Sequence, residues 1–279
     1  MKYTVTTILL CIFLLVCCIS SASHKSNKSS KLSTPNTVNT VPKILHRTLL
    51  WDSEIPSNVK PVYDKFNSIN ADGWQIKLWN EDAVKKLMEK YNLVSIYDSY
   101  KLKIQKADFA RYVIVYAEGG CYCDFDIEST YSLDDLLKLH NTDNIHDLTL
   151  ITEFCYSNMP DKNMYCQPSK ILTRKPLTSS MTIRSNDINN TVINEEPHRI
   201  ANYFLIANKQ SPSLWNLIKL AQQRSTLQVK NQYDVLYTTG PALVSSFYAM
   251  CDTKENINII NTKYLKHLAT GSWRTQISR

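Results

Sequence analysis

The chain has 279 residues, 43% of them hydrophobic, enough to bury a core in one large domain or two small ones; 20% charged and 10% aromatic residues exclude a disordered polymer. The net charge of +7 is uneven: Lys2, Lys25, Lys28 and Lys31 fall in the first 41 residues, which carry no acid, leaving 28 basic against 25 acidic residues beyond. A nucleic-acid binder carries its basic excess on the folded domain, so no nucleic-acid partner is expected. Five glycines (Gly73, Gly119, Gly120, Gly240 and Gly271) cannot compose a phosphate-cradling or dinucleotide-binding loop, so a diphosphate would need a metal ion or basic side chains.

The first element is an apolar run, Ile8–Ile19, followed by the small residues Ser20-Ser21-Ala22-Ser23. It reads equally as a signal anchor or as a signal peptide cleaved near residue 23. Either form sends the remainder into the lumen of the secretory pathway (ER or Golgi) as a single-pass type II membrane protein, or beyond it as a secreted one. Residues 24–40, rich in Ser, Thr, Asn and Lys, cannot pack and read as a flexible stem. Asn27-Lys28-Ser29 and Asn189-Asn190-Thr191 are glycosylation sequons, usable only in a lumenal chain. Five cysteines lie outside the apolar run, and Cys155 with Cys166 is the expected bridge; the spacings match no zinc pattern.

From Val41 onward strand-like and helix-like stretches alternate. Strands are expected over Val41–His46, Trp74–Trp79, Cys121–Ile127, Leu148–Phe154, Tyr203–Ala207 and Ile257–Ile260. Helices are expected over Ser57–Ile69 with Pro61 in the first turn, Asn80–Tyr91, Ile104–Glu118 stopped by Gly119-Gly120, Leu133–Leu139, Pro212–Gln223 and Gly240–Met250. Residues 155–200 read as long loops. The alternation predicts an α/β fold with a parallel or mixed sheet and a ligand beyond the carboxyl ends of its strands.

Asp124-Phe125-Asp126 carries the chemistry. In a strand the two carboxylates share a face, and two hard oxygen donors at a sheet end suit Mn²⁺ or Mg²⁺. Such an ion could bridge the phosphates of a nucleotide-sugar and stabilise the leaving diphosphate. A lone D-x-D also arises by chance as an exposed acidic turn. The helix before it adds Asp108 and Arg111 one turn apart on one face, either a surface ion pair or a sugar- and phosphate-binding pair.

The run Ile104–Asp126, with Lys106-Ala107-Asp108, Arg111-Tyr112, Gly119-Gly120, Tyr122 and Asp124-Phe125-Asp126, resembles the sugar-transferase region of glycosyltransferase family 32, whose members include α-1,6-mannosyltransferases and inositol-phosphorylceramide mannosyltransferases. Val41–Thr48 is similar to that family's opening strand, and Gly240-Pro241, His267 and Gly271-Ser272-Trp273 to its closing motifs. The resemblance implies a Rossmann-like GT-A catalytic domain over 41–279, a metal-dependent nucleotide-sugar donor (GDP-mannose first, a UDP-hexose second), retention of anomeric configuration, and a glycan, glycolipid or glycoprotein acceptor. It implies that Asp124, Asp126 and His267 serve the metal, and that Asp108 and Arg111 hold the donor sugar. His46, Tyr122, Asn202, Ser272 and Trp273 are then substrate contacts, the last two closing over the diphosphate. For Asn202 a strand cap, for His267 a packed or surface histidine, and for Trp273 a cover on the core are the competing readings. The family's Trp after the opening strand is displaced here to Trp51, behind Leu49-Leu50. The alternative to an enzyme is therefore a catalytically inactive, secreted carbohydrate-binding or scaffold protein of the same fold.

Overall fold

The computed structural model describes residues 41–141, 146–154 and 198–269, all within the compact unit Asn39–Arg279. The stretch expected to target the chain, the stem, both sequons, Cys155, Cys166, Ser272 and Trp273 lie outside the described residues. Among the described residues no helix is long and apolar enough to cross a membrane.

The strands are β1 (Ile44–Thr48), β2 (Gln75–Trp79), β3 (Gly120–Cys123), β4 (Ile127–Glu128), β5 (Leu148–Phe154), β6 (His198–Ala207), β7 (Ile257–Ile260) and β8 (Lys266–His267). The helices are α1 (Lys60–Ile69), α2 (Glu81–Lys90), α3 (Val94–Ser99), α4 (Lys103–Glu118), α5 (Leu133–His140), α6 (Pro212–Arg224), α7 (Gln232–Thr238) and α8 (Pro241–Met250). Six strands form one sheet in the order β2-β1-β3-β6-β5-β7, and β4 pairs with β8 apart from it. Within the larger sheet β6 runs antiparallel to both neighbours, whereas the other pairings are parallel. This is the α/β class that the alternation of elements implies.

The helices begin where local chemistry says they should. Asn80 accepts from the Ala83 amide, with Glu81 and Asp82 in the first turn of α2 and Lys90 in its last. Ser132 with Asp135, and Asn231 with Asp234, form reciprocal capping boxes at α5 and α7. At the end of α4, Gly119 and Gly120 adopt φ of 71° and 97°, and a Cβ on Gly120 would stand 2.5 Å from the Ile44 carbonyl oxygen. Only glycine lets β3 lie this close to β1 in that conformation.

Apolar side chains pack on both sides of the sheet. Phe109, Ile114, Leu217 and Val244 belong to one core, Leu45, Phe66, Cys121, Ile151 and Ile206 to the other. The α4 helix is buried nearly all round, and its buried residues include Asp108 and Arg111. Two polar residues in such a helix must satisfy each other or a neighbour, which is what delivers them to the site.

Candidate active site

The D-x-D sequence is a turn, which corrects the strand expected over Cys121–Ile127. β3 ends at Cys123, Phe125 and Asp126 turn, and β4 resumes at Ile127. Two backbone hydrogen bonds account for the break: the Asp124 amide donates to the Tyr203 carbonyl at 2.9 Å, and the Asp124 carbonyl accepts from Arg47 Nη1 at 2.7 Å. The carboxylates consequently have different partners instead of sharing one face.

Asp124 belongs to an Arg111-centred cluster. Arg111 Nη1 lies 3.0 Å from Asp124 Oδ2, Nη2 lies 2.9 Å from Asp108 Oδ1, and Nη1 also donates to the Asn202 carbonyl at 2.9 Å. Asp108 accepts further hydrogen bonds from Asn202 Nδ2 at 2.9 Å and Thr239 Oγ1 at 3.0 Å. Burial pushes the Asp108 carboxyl up to about 7, against the pull of Arg111, while Asp124 adds to the rise. Arg111 is held above its usual value: burial alone would lower it, but Asp124, Tyr122 and Asp108 outweigh that. Tyr122 is buried beneath the guanidinium, its hydroxyl donating to Asp124 Oδ1 at 2.7 Å and meeting Thr48 Oγ1 at 2.9 Å. Tyr122 therefore acts through Asp124.

Asn202 sits inside β6, not ahead of a strand as expected. Between the pairs Leu150–Leu205 and Thr152–Ile200 the chain advances two residues on β5 but five on β6. This bulge frees Asn202 to reach Asp108 from one side and Arg111 from the other, the usual placing of a bulge beside a site.

Asp126 belongs to a second cluster. His267 Nε2 stands 3.4 Å from Asp126 Oδ2, and Nδ1 stands 3.9 Å from Glu153 Oε2, with Arg199 against the same Glu153. The pairing of β4 with β8 sets Ile127 opposite His267, and the Tyr203 ring packs 4.5 Å from the imidazole. Burial pulls His267 down, but Asp126 and Glu153 outweigh it and hold the imidazole up at about 9.

His46 is placed elsewhere. It is fully buried, its Nε2 2.8 Å from the Gly119 carbonyl and its Nδ1 accepting from Trp79 Nε1 at 3.0 Å. Burial, with Lys77 nearby, lowers it to about 4 despite the Gly119 hydrogen bond. The expected substrate contact is corrected: both ring nitrogens are spent on joining β1, β2 and the end of α4.

With its imidazole neutral, His267 would join Asp126 in offering a divalent cation two ligand atoms, 3.4 Å apart in this structure. Ligand atoms on adjacent octahedral corners, each about 2.1 Å from the ion, lie about 3 Å apart, close to the Asp126–His267 separation. Among the described residues no three His, Cys, Asp or Glu side chains converge on one point, so such an ion would complete its shell with water and phosphate oxygens.

Sequence reasoning missed Arg47, Glu153, Arg199 and Thr239. Arg47 and Glu153 had a signal: a charge near the carboxyl end of a strand. Thr239 directly precedes the Gly240-Pro241 pair, but only tertiary structure brings it to Asp108.

Residues 56–143 match the family model described as a glycosyltransferase sugar-binding region containing a DXD motif. An uncharacterized glycosyltransferase of Acanthamoeba polyphaga mimivirus is 33% identical over 103 residues, 36% of this chain and 41% of that protein. Inositol phosphoceramide mannosyltransferase 1 of Schizosaccharomyces pombe is 35% identical over 103 residues, 35% of this chain and 32% of that protein. Each matched stretch thus spans less than half of the relative's length. Among solved structures, the PaToxG glycosyltransferase aligns with 75% of this chain and 69% of its own at 13% identity and a TM-score of 0.40. Residues 56–143 are thus similar to a glycosyltransferase sugar-binding region containing a DXD motif, in agreement with the resemblance carried by Ile104–Asp126.

Proposed function

We propose that residues 41–279 form a GT-A catalytic domain that moves a hexose, mannose first, from a nucleotide-sugar to a glycan or glycolipid acceptor with retention of configuration. The observation that carries this is the single Arg111 guanidinium joining Asp108 of the helix to Asp124 of the motif. The family match and the names of the fission-yeast relatives support mannose and a glycolipid acceptor. The secretory lumen is the compartment that fits the apolar run Ile8–Ile19.

Each residue then has a task. Arg111 holds one oxygen of Asp124 and Tyr122 fixes the other, leaving a side chain 26% exposed to meet the donor's ribose. Asp126 and His267 would hold the cation (Mn²⁺ or Mg²⁺), with Asp124 beside them; the ion supplies the charge that neutralises the departing diphosphate. Asp108, Arg111 and Asn202 form the floor under the donor sugar. Ser272 and Trp273 would close over the diphosphate. Asp108 is engaged by Arg111, Asn202 and Thr239, and Asp124 by Arg111 and Tyr122, so neither is offered here as a nucleophile and departure and attack on the same sugar face is the favoured route.

Full-length chain incubated with Mn²⁺ and GDP-mannose or UDP-hexoses should turn over one donor, and Asp126→Ala should abolish this while melting normally. Undiminished turnover in that variant would overturn the proposal, and an inverted product anomer, read by NMR, would overturn retention. The binding-protein alternative rests on the displaced Trp51, which packs half-buried against the core beneath Lys103. It predicts donor-dependent thermal stabilisation with no turnover.

A further inference from the structure

Arg47 is the costliest residue near the motif that none of these roles explains. It sits in β1, fully buried. Its Nη1 donates to the Asp124 carbonyl at 2.7 Å and reaches the Cys123 carbonyl at 3.5 Å, while Nε and Nη2 are buried without a hydrogen-bond partner. Three rings surround the guanidinium: Tyr63 at 5.1 Å and Phe66 at 4.9 Å, both from α1, and Phe125 at 5.7 Å, the middle residue of the motif. Tyr63 and Phe125 also touch each other, 5.4 Å between centroids.

A buried guanidinium with two unsatisfied nitrogens is a poor stabilising device, because an apolar side chain of similar length would fill the space without the desolvation cost. What only the cation provides is a fixed donor on the Asp124 carbonyl and a charged plane for Phe125. The Asp124 amide is already tied to β6 through the Tyr203 carbonyl. The Tyr203 bond holds the Cys123–Asp124 peptide plane and the Arg47 bond holds the Asp124–Phe125 plane, and the second of these sets the direction in which the chain runs on to Asp126.

We propose that Arg47 is a positioning residue: by clamping the Asp124 carbonyl and seating Phe125, it aims the Asp126 carboxylate at the cation position beside His267. This rests on the reading of that position as a divalent-cation site. The grip on the turn itself does not, and the experiment separates the two.

The test compares full-length wild type with Arg47→Met, Arg47→Lys and Phe125→Leu. Hydrogen–deuterium exchange is followed across the turn, and Mn²⁺ alone is titrated by electron paramagnetic resonance. Arg47→Met should melt within a few degrees of wild type. It should exchange faster at 124–128 than in the neighbouring β1–β2 segment, and should bind Mn²⁺ about ten-fold more weakly, the usual size of an orienting effect on a metal site. Arg47→Lys should recover part of both. Phe125→Leu, which keeps both acids and the arginine, should move them the same way by a smaller factor, and it decides the matter if Arg47→Met does not fold. Exchange at 124–128 unchanged, or raised no more than in β1–β2, overturns the clamp. Loosened exchange with unaltered Mn²⁺ affinity overturns the aiming role. A wild type that binds no Mn²⁺ overturns the cation site, while the exchange data still decide the clamp.

Discussion

Arg111 Nη1 stands 3.0 Å from Asp124 Oδ2 while its other terminal nitrogen holds Asp108 Oδ1 at 2.9 Å, so a helix residue and a motif residue share one buried cation. Removing it leaves two carboxylates without their counter-charge. Arg111→Met should therefore cost about 3–5 kcal/mol in urea unfolding, the range for breaking a buried pair from one side. Arg111→Lys should recover only part, because a point charge cannot span both acids. A loss below about 1 kcal/mol in Arg111→Met would show that the acids do not depend on it.

Acid stability should reflect groups pulling in opposite directions. His46 and His140 are lowered by burial to about 4, so the unfolded chain binds more protons than the folded one between pH 6.5 and 4. Each contributes stability that is present above pH 6.5 and lost as pH falls toward 4, at up to about 1.4 kcal/mol per pH unit. Asp108, raised by burial to about 7, does the reverse: its contribution is present below pH 3.8 and lost as pH rises through 7. Asp108→Asn should thus make stability climb more steeply between pH 4 and 7, by up to about 1.4 kcal/mol per unit, in denaturant midpoints measured across that range. A slope equal to wild type would contradict the buried carboxyl's proton uptake.

His267 gives the alkaline limb. Burial opposes its charge, but Asp126 and Glu153 hold it up at about 9, above the unfolded value of 6.5. The stability it contributes is complete below pH 6.5 and disappears as pH rises through about 9. A bound cation needs the neutral imidazole, so Mn²⁺ should raise the melting temperature more at pH 9 than at pH 6.5, and His267→Ala should remove most of that difference. Equal Mn²⁺ stabilisation at both values would exclude His267 as a ligand.

Two glycines with similar φ should differ sharply. An alanine Cβ at Gly120 meets the Ile44 carbonyl oxygen at 2.5 Å, whereas at Gly73 the nearest atom is the tip of Lys43 at 3.9 Å. Gly73→Ala should cost about 1 kcal/mol from its φ of 77° alone. Gly120→Ala should cost several times more or prevent folding, because β3 must move off β1; comparable melting temperatures would refute this.

The sequence shows the framework well because local rules set it. Asn80, Ser132 and Ser211 cap helices by side-chain chemistry readable within four residues, and the long apolar character of α4 with its Gly-Gly stop leaves little choice. Asp108, Arg111, Asp124 and Asn202 were legible as candidates and converge in space. What failed was the geometry of Asp124-Phe125-Asp126, since alternation cannot reveal that Arg47 and Tyr203, 77 and 79 residues away, capture the Asp124 backbone and end the strand. His46 misled for a related reason: a motif histidine looks the same in sequence whether its nitrogens face a ligand or Trp79 and Gly119. Short α3, α7 and β8 escaped notice because their order comes from tertiary contacts rather than from a periodic pattern.

Because β6 runs against β5 and pairs Phe154 with His198, the polypeptide departs from and rejoins the sheet at neighbouring rungs beside Glu153 and Arg199. The sequence places 43 residues between Phe154 and His198. Lengthening them carries only a slowly growing closure entropy and leaves the strand register intact. The pairing of β5 with β6 thereby leaves the length of that connection free to vary without re-pairing the sheet.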